Sequence, residues 1–331
     1  MDSRTLLLVL AVVFVNLLSR FYGFWIITRS SNPWEKGLLF WPAILIQLLM
    51  PLPLPKEYPL LKWLLLSNTC LHVFKLIDYY RRYESLSERD RNFKRFFHSF
   101  ECLYTTDIRK SFVKEGGQVE GARKALKQGL LYLALGTTFL LLNRHFGWWS
   151  ALGGSPLLDY STLAAEYYLL CVGLVHLGVG IHRMMGYKVE DFFLEPTRAR
   201  SPGEFWATWN IPVHEWLRDN IYNKFGGRLH PYRGLFATFL VSGLFHEYIV
   251  SLASNTLNGF MLAYFMTQFL FVVLSISLHR FLNSLVPAGY SRIRLTRPFQ
   301  DLKWLLTVCS VLLPVPLFIN NLNKVFPLHT F

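Results

Sequence analysis

Charged residues are in short supply in this chain. Asp, Glu, Lys and Arg make up 17% of its 331 residues, against about 25% in an average soluble domain. The four cysteines, Cys70, Cys102, Cys171 and Cys309, form no CxxC pair and show no regular spacing, so they describe neither a disulfide framework nor a thiolate metal site. Three of them sit in apolar segments, where a free cysteine acts as a small core residue. There is no HExxH and no cluster of histidine pairs, and His176 and His182 are six apart, which keeps them off one helical face. Neither GxSxG nor a glycine-rich phosphate loop occurs, which removes support for a serine acyl-enzyme. No internal repeat, low-complexity tract or soluble-domain boundary interrupts residues 1–331, so one domain is expected and an inverted-repeat transporter is disfavoured. No metal and no cofactor are expected.

Apolar residues account for 52% of the chain and aromatic ones for 16%. They collect in about eight runs, near 6–27, 37–54, 61–79, 126–143, 161–182, 235–253, 260–281 and 302–319, each approaching the roughly 20 residues that cross a bilayer. The first follows Arg4, is too long for a signal-peptide core and reads as a retained anchor. Basic residues concentrate in 29–36, 81–127, 183–233 and 280–303. Eight crossings place all four loops on one side, which charge bias makes cytosolic, and both termini opposite. The net charge of +13 does not indicate nucleic acid: twelve Lys and Arg lie between Arg81 and Lys127, beside membrane spans and without a nucleic-acid motif. Membrane lipid headgroups are the simpler partners for that cluster. The expected location is a multi-pass membrane protein, in the endoplasmic reticulum of a eukaryote or the cytoplasmic membrane of a bacterium. Pro51, Pro53 and Pro55 end the second run, Gly116-Gly117 breaks the basic loop, and Gly153-Gly154-Ser155-Pro156 reads as a turn on the outer side.

Three polar residues stand out against this background: Asn210, His246 and Glu247. The last two lie in an apolar run from Leu235 to Ala253, where a carboxylate costs about 2.5–3.5 kcal/mol on insertion scales and calls for a partner or a task. A histidine beside it points to proton transfer on a lipid-soluble substrate; the bland alternative is a core histidine bonded to Ser242 one turn earlier. Glu247, offset by about 100° around the helix, reads as a structural bond to a neighbouring span, with His214 or Arg183 as partner. Around Asn210, Ser201 is a good N-cap, Pro202 suits the first helical position and Glu204 completes a capping box. Phe205, Trp209, Val213 and Trp216 continue one apolar face, with Trp206, Asn210 and His214 on the next. The pattern predicts one amphipathic interfacial or re-entrant helix over 201–222, kinked by Pro212.

The phrases Phe205-Trp206-x-x-Trp209-Asn210-Ile211-Pro212-Val213-His214 and Phe245-His246-Glu247-Tyr248 resemble the membrane-bound O-acyltransferase superfamily, particularly its diacylglycerol and sterol acyltransferase branch. Gln268 stands where that branch places a glutamine, about six turns after the histidine. The branch's upstream FYxDWWN box is replaced by Asp191-Phe192-Phe193-Leu194-Glu195-Pro196, a region more similar to the wax-synthase-type members. The resemblance implies an all-α polytopic fold around an intramembrane chamber and direct acyl transfer from acyl-CoA, a co-substrate, to a hydrophobic alcohol. A long-chain alcohol is favoured; diacylglycerol, a sterol or a terpenoid remains open, as do a lipid carrier, an enzyme acting on an extracellular polymer or protein, and a homo-oligomer. In this reading His246 is the general base and Asn210 donates to the oxyanion or orients the acceptor. Gln268, Trp206, Trp209, His214, Glu247 and Ser242 line the substrate path. Arg198, Arg200 and Arg228, which bracket the Asn210 helix, take the acyl-CoA phosphates.

Overall fold

The computed structural model describes residues 2–29, 32–107, 109, 120–146, 156–284 and 297–328. Gly116-Gly117 and the Gly153-Gly154-Ser155 turn lie outside them. Twelve α-helices are present among the described residues. The N-terminal group is α1 (Ser3–Arg29), α2 (Pro33–Leu49), α3 (Pro59–Arg82) and the short α4 (Phe93–Ser99). Then come α5 (Ala122–Phe146), α6 (Pro156–Met184), the seven-residue α7 (Pro202–Thr208) and α8 (Ile211–Leu217), α9 (Pro231–His246), α10 (Phe260–Ser284), α11 (Arg297–Leu312) and α12 (Val315–Val325).

Among the described residues six helices are long and apolar enough to cross a membrane, and the α11–α12 pair, bent by 51°, makes a seventh if taken as one span. The expected count of eight is therefore not reached. The missing crossing is α2, whose 17 residues cover only about 25 Å, short of the roughly 30 Å hydrocarbon core. The proline run from Pro51 stops it, because each proline removes a backbone donor.

Packing follows the sequence closely in the α5–α6 hairpin. Glycines on each helix receive leucines of the other. A Cβ on Gly129 would stand 2.7 Å from the Leu177 backbone nitrogen, and one on Gly173 would stand 2.8 Å from that of Leu133. Without hydrophobic drive between spans, such close backbone approach supplies the association energy. In the N-terminal group, Ile26, Phe40, Val73, Leu76, Tyr79, Phe96 and Phe100 form one buried cluster. A second joins Leu163, Phe239, Tyr264, Phe265, Val272, Val315 and Ile319, so α6, α9, α10 and α12 share a core.

Side-chain bonds define two ends of this bundle. At one, Arg82 pairs with Asp219 at 2.9 Å, and Arg280 donates to the Tyr232 hydroxyl at 2.9 Å. At the other, Lys62 reaches Asn255 at 3.4 Å, Tyr248 donates to the Leu48 carbonyl at 2.6 Å, and Arg144 donates to the Leu328 carbonyl at 2.9 Å. The first end gathers the arginines that the charge bias assigns to the cytosol.

The single kinked helix expected over 201–222 is instead two helices. Trp209 and Asn210 separate α7 from α8, and Asn210 takes the left-handed conformation (φ 47°). Pro212 then lies in the first turn of α8, where a missing N–H costs nothing. The proline starts a helix here rather than bending one.

Candidate active site

His246 closes α9, fifteen residues after Pro231 and thus about 22 Å along the helix from its basic end. A π-helical turn, Glu247–Ser251, follows at once, and such insertions re-aim side chains. The His246 Nδ1 lies 2.8 Å from the Ser242 carbonyl oxygen. A carbonyl only accepts, so Nδ1 carries the proton and Nε2 presents its lone pair. The half-buried ring packs on Phe265 at 4.3 Å between centroids and Phe318 at 5.9 Å. The arrangement provides a base with a fixed tautomer among aromatic neighbours. Ser242 contributes its carbonyl to this setting.

Glu247 leaves the histidine and turns to α10. Its Oε1 accepts from the Gly259 N–H at 2.9 Å, and its Oε2 from those of Met261 and Leu262 at 3.1 and 3.3 Å. These amides open α10, so the carboxylate serves as an anionic cap on that helix. It does bind a neighbouring element, but neither His214 nor Arg183 is its partner. Sequence could not anticipate this, because the acceptors are backbone amides that carry no residue signature.

Asn210 is held by an element that the motifs did not single out. The Ile211 N–H donates to the Phe192 carbonyl at 2.9 Å and the Leu194 N–H to the Thr208 carbonyl at 3.0 Å. Thus 192–194, within the stretch that replaces the FYxDWWN box, brackets the break. The Thr106 hydroxyl adds a 2.8 Å bond to the Pro212 carbonyl. With its backbone fixed on both sides, Asn210 keeps a buried side-chain Oδ1 that has no hydrogen-bond partner. Buried amide oxygens are ordinarily satisfied, so this one is available to a donor such as a hydroxyl.

The two arms of the break flank the histidine layer. On α7, Trp206 packs on Phe265 at 5.5 Å, the same ring that supports His246. On α8, Trp216 stacks on Phe74 at 4.2 Å and meets Phe245, the neighbour of His246, at 6.1 Å. Trp206 Nε1–H donates to Gln268 Oε1 at 3.2 Å, and Gln268 Nε2 to the Ser310 carbonyl at 3.0 Å. Gln268 is fully buried, so this chain ties α7, α10 and α11 together. Trp209 stacks with Phe205 at 5.8 Å and contacts Phe193 at 4.7 Å. His214 is half-buried; burial first and Arg218 second hold its pKa below the ordinary imidazole value.

Arg198, Arg200 and Arg228 are all exposed. Arg198 is paired with Glu195 at 2.8 Å, and the Arg200 backbone N–H caps Glu204 at 2.7 Å. A shallow hollow opens against α8 and is lined by Asp78, Arg82, Asp107, Glu215 and Asp219 among others. Burial alone would raise the Asp219 pKa, but Arg218 and Arg82 override it and hold the group below the usual carboxylate value. The hollow is thus lined mainly by carboxylates, of which Asp78, Asp107 and Asp219 are paired with arginines.

The family model of the membrane-bound O-acyltransferases matches residues 131–282, a span that contains Asn210, His246 and Gln268. A probable alginate O-acetylase of Pseudomonas syringae pv. tomato is 30% identical over 132 residues, 38% of this chain and 26% of the relative. Probable long-chain-alcohol O-fatty-acyltransferase 2 of Arabidopsis thaliana is 29% identical over 249 residues, 70% of this chain and 68% of the relative. Diacylglycerol O-acyltransferase 1 of Dictyostelium discoideum is 35% identical over 72 residues, 22% of this chain and 12% of the relative. The match to the alginate acetylases spans about a quarter of their length.

Proposed function

We propose, on the family-model match over residues 131–282, that the chain is a membrane-bound O-acyltransferase that transfers an acyl group from acyl-CoA to the hydroxyl of a hydrophobic alcohol within the bilayer. His246 Nε2 takes the hydroxyl proton as the oxygen attacks the thioester carbonyl. Asn210 orients the hydroxyl or steadies the developing oxyanion. The tetrahedral intermediate then expels the CoA thiolate, which recovers the proton from the imidazolium, leaving an ester and free CoA. The observation that carries this reading is the His246 tautomer: Nδ1–H is committed to the Ser242 carbonyl at 2.8 Å, which leaves Nε2 free to act as a base. Asn210, half-buried on a break flanked by the same aromatic layer, supports this reading through its Nδ2–H, which can donate to the hydroxyl oxygen or to the oxyanion while His246 takes the hydroxyl proton.

A long-chain alcohol is the preferred acceptor, supported by the similarity to the plant alcohol acyltransferase over 70% of this chain. The similarity to alginate O-acetylases supports a second acceptor class, the hydroxyl of a polymer. The compartment follows from the cell: endoplasmic reticulum in a eukaryote, cytoplasmic membrane in a bacterium. Purified protein incubated with labelled acyl-CoA and a panel of long-chain alcohols, diacylglycerol, sterol and polysaccharide tests the reading. Ester formed only with long-chain alcohols is the expected result, labelled polysaccharide selects the second acceptor, and no transfer to any acceptor leaves the carrier alternative.

A further inference from the structure

We propose that the N-terminal helices hold a binding site for the phosphate of a net-anionic phospholipid, centred on Arg20 and His72 near the basic end. The site is separate from His246 and precedes the residues matched by the family model, 131–282.

Arg20 of α1 places Nη2 3.0 Å from His72 Nε2 on α3. A guanidinium only donates, so Nε2 accepts and the His72 proton sits on Nδ1. Among the described residues that Nδ1–H has no partner, and neither does Arg20 Nε–H; both atoms are buried. His72 itself is only 3% exposed. Two N–H donors from touching side chains therefore lack an acceptor, at a depth where each unmade bond is costly.

Charge sharpens the point. Lys75, one turn along α3 and 1% exposed, donates to the carbonyls of Ser99 at 2.5 Å and of Cys102. Those carbonyls engage two of its three hydrogens and bring no negative charge. The carboxylate that acts on Arg20 from a distance is Glu101, which is committed to His98 at 2.7 Å and the Tyr187 hydroxyl at 3.1 Å. A half-buried and a fully buried cation thus lie close together, and the one acid acting on Arg20 is remote and occupied. A trapped water would satisfy the orphan donors yet leave this charge uncompensated, whereas an oxyanion answers both.

Aromatic rings build the wall. The Arg20 guanidinium lies over Phe97 at 5.2 Å and Phe100 at 5.0 Å, the Lys75 ammonium lies over Phe100 at 5.8 Å, and His72 meets the same ring edge-on at 5.2 Å. Leu17, Leu18 and Phe21 beside Arg20 on α1 are exposed, so a lipid-facing surface adjoins the group. Arg20 precedes Arg29, at the helix end, by nine residues and Lys75 precedes Arg82 by seven. These spacings correspond to about 13 and 10 Å along the helices, within reach of a headgroup from the basic-side leaflet.

The test uses the full chain reconstituted in nanodiscs of phosphatidylcholine, with or without phosphatidylglycerol, followed by release and native mass spectrometry. One phosphatidylglycerol retained per wild-type chain is expected. Arg20→Gln should lower that occupancy about tenfold, the scale of one charge-assisted hydrogen bond. Arg29→Gln, an exposed guanidinium on the same helix, should leave it unchanged. Equal retention of both lipids by the wild type, or equal losses in the two variants, overturns the site. Displacement of the lipid by inorganic phosphate or by oleate at matched concentration overturns the assignment to a lipid phosphate. The wild-type comparisons decide the matter even if Arg20→Gln fails to fold.

Discussion

His246 and Asn210 can be tested separately because each has a distinct structural tie. Replacing His246 by Ala removes the Nε2 base but only one bond, to a carbonyl that keeps its place in the helix. Turnover should fall by about 10²–10⁴, while gel filtration in detergent still shows a monodisperse protein. Activity within tenfold of wild type removes the base assignment, and aggregation with loss of fold returns the residue to a packing role. At Asn210 the backbone complicates the reading, since φ of 47° disfavours most side chains. Asn210→Gly keeps the left-handed conformation without strain and deletes the amide. It should lower turnover by about 10²–10³, as loss of a transition-state hydrogen bond does. Near wild-type activity of that variant would mean that Asn is there for its conformation alone.

At the scale of elements, the sequence neighbours His246 and Glu247 serve different helices. Glu247 bonds three amides at the start of α10, and α10 carries Phe265 beneath the imidazole. Glu247→Ala should destabilise the protein by about 1–2 kcal/mol, the worth of a charged helix cap, and lower its melting temperature in detergent. Glu247→Gln, which keeps one accepting oxygen, should lose less; equal stability of Ala variant and wild type would remove the capping role. His214 gives α8 a pH dependence. Its folded pKa lies below the free value because of burial and Arg218, with Glu215 and Asp219 opposing. The unfolded chain therefore binds the proton more readily, and stability falls as pH drops from about 6.5 toward the folded value. Melting temperatures measured from pH 7 to pH 5 should decline more steeply for the wild type than for His214→Gln; parallel curves would refute the linkage.

For the molecule as a whole, the sidedness of charge is the testable property. Arg198, Arg200 and Arg228 lie exposed around the α7–α8 break, while the adjoining hollow is lined mainly by carboxylates. On the proposed reading, the phosphates of acyl-CoA follow these exposed arginines. Neutralising all three should raise the KM for acyl-CoA several-fold and flatten its dependence on salt, which screens over about 10 Å at 0.1 M. The KM for the alcohol should stay the same. Because Arg198 is already paired with Glu195, its single substitution should have the least effect of the three. A change confined to the alcohol's KM would move acyl-CoA entry elsewhere.

Apolar runs of spanning length, the arginine-rich loops and the helix start at Ser201-Pro202 depend on local composition and capping, so the all-α membrane fold and the boundaries of most helices are legible in the chain itself. The candidate pair Asn210 and His246 is legible too, as polar residues in phrases otherwise apolar and aromatic. Tertiary structure decided what those phrases could not encode. Pro212 alone is compatible with a kinked helix, and only pairing of 192–194 with 208–211 turned that segment into two helices with Asn210 at the break. Glu247 was assigned to backbone amides of α10, and Gln268 to Trp206 and a backbone carbonyl. The cationic group around Arg20 and His72 arises where two helices more than 50 positions apart in the sequence come into contact. Backbone partners have no residue identity and long-range contacts have no local period, so neither leaves a trace in a linear pattern.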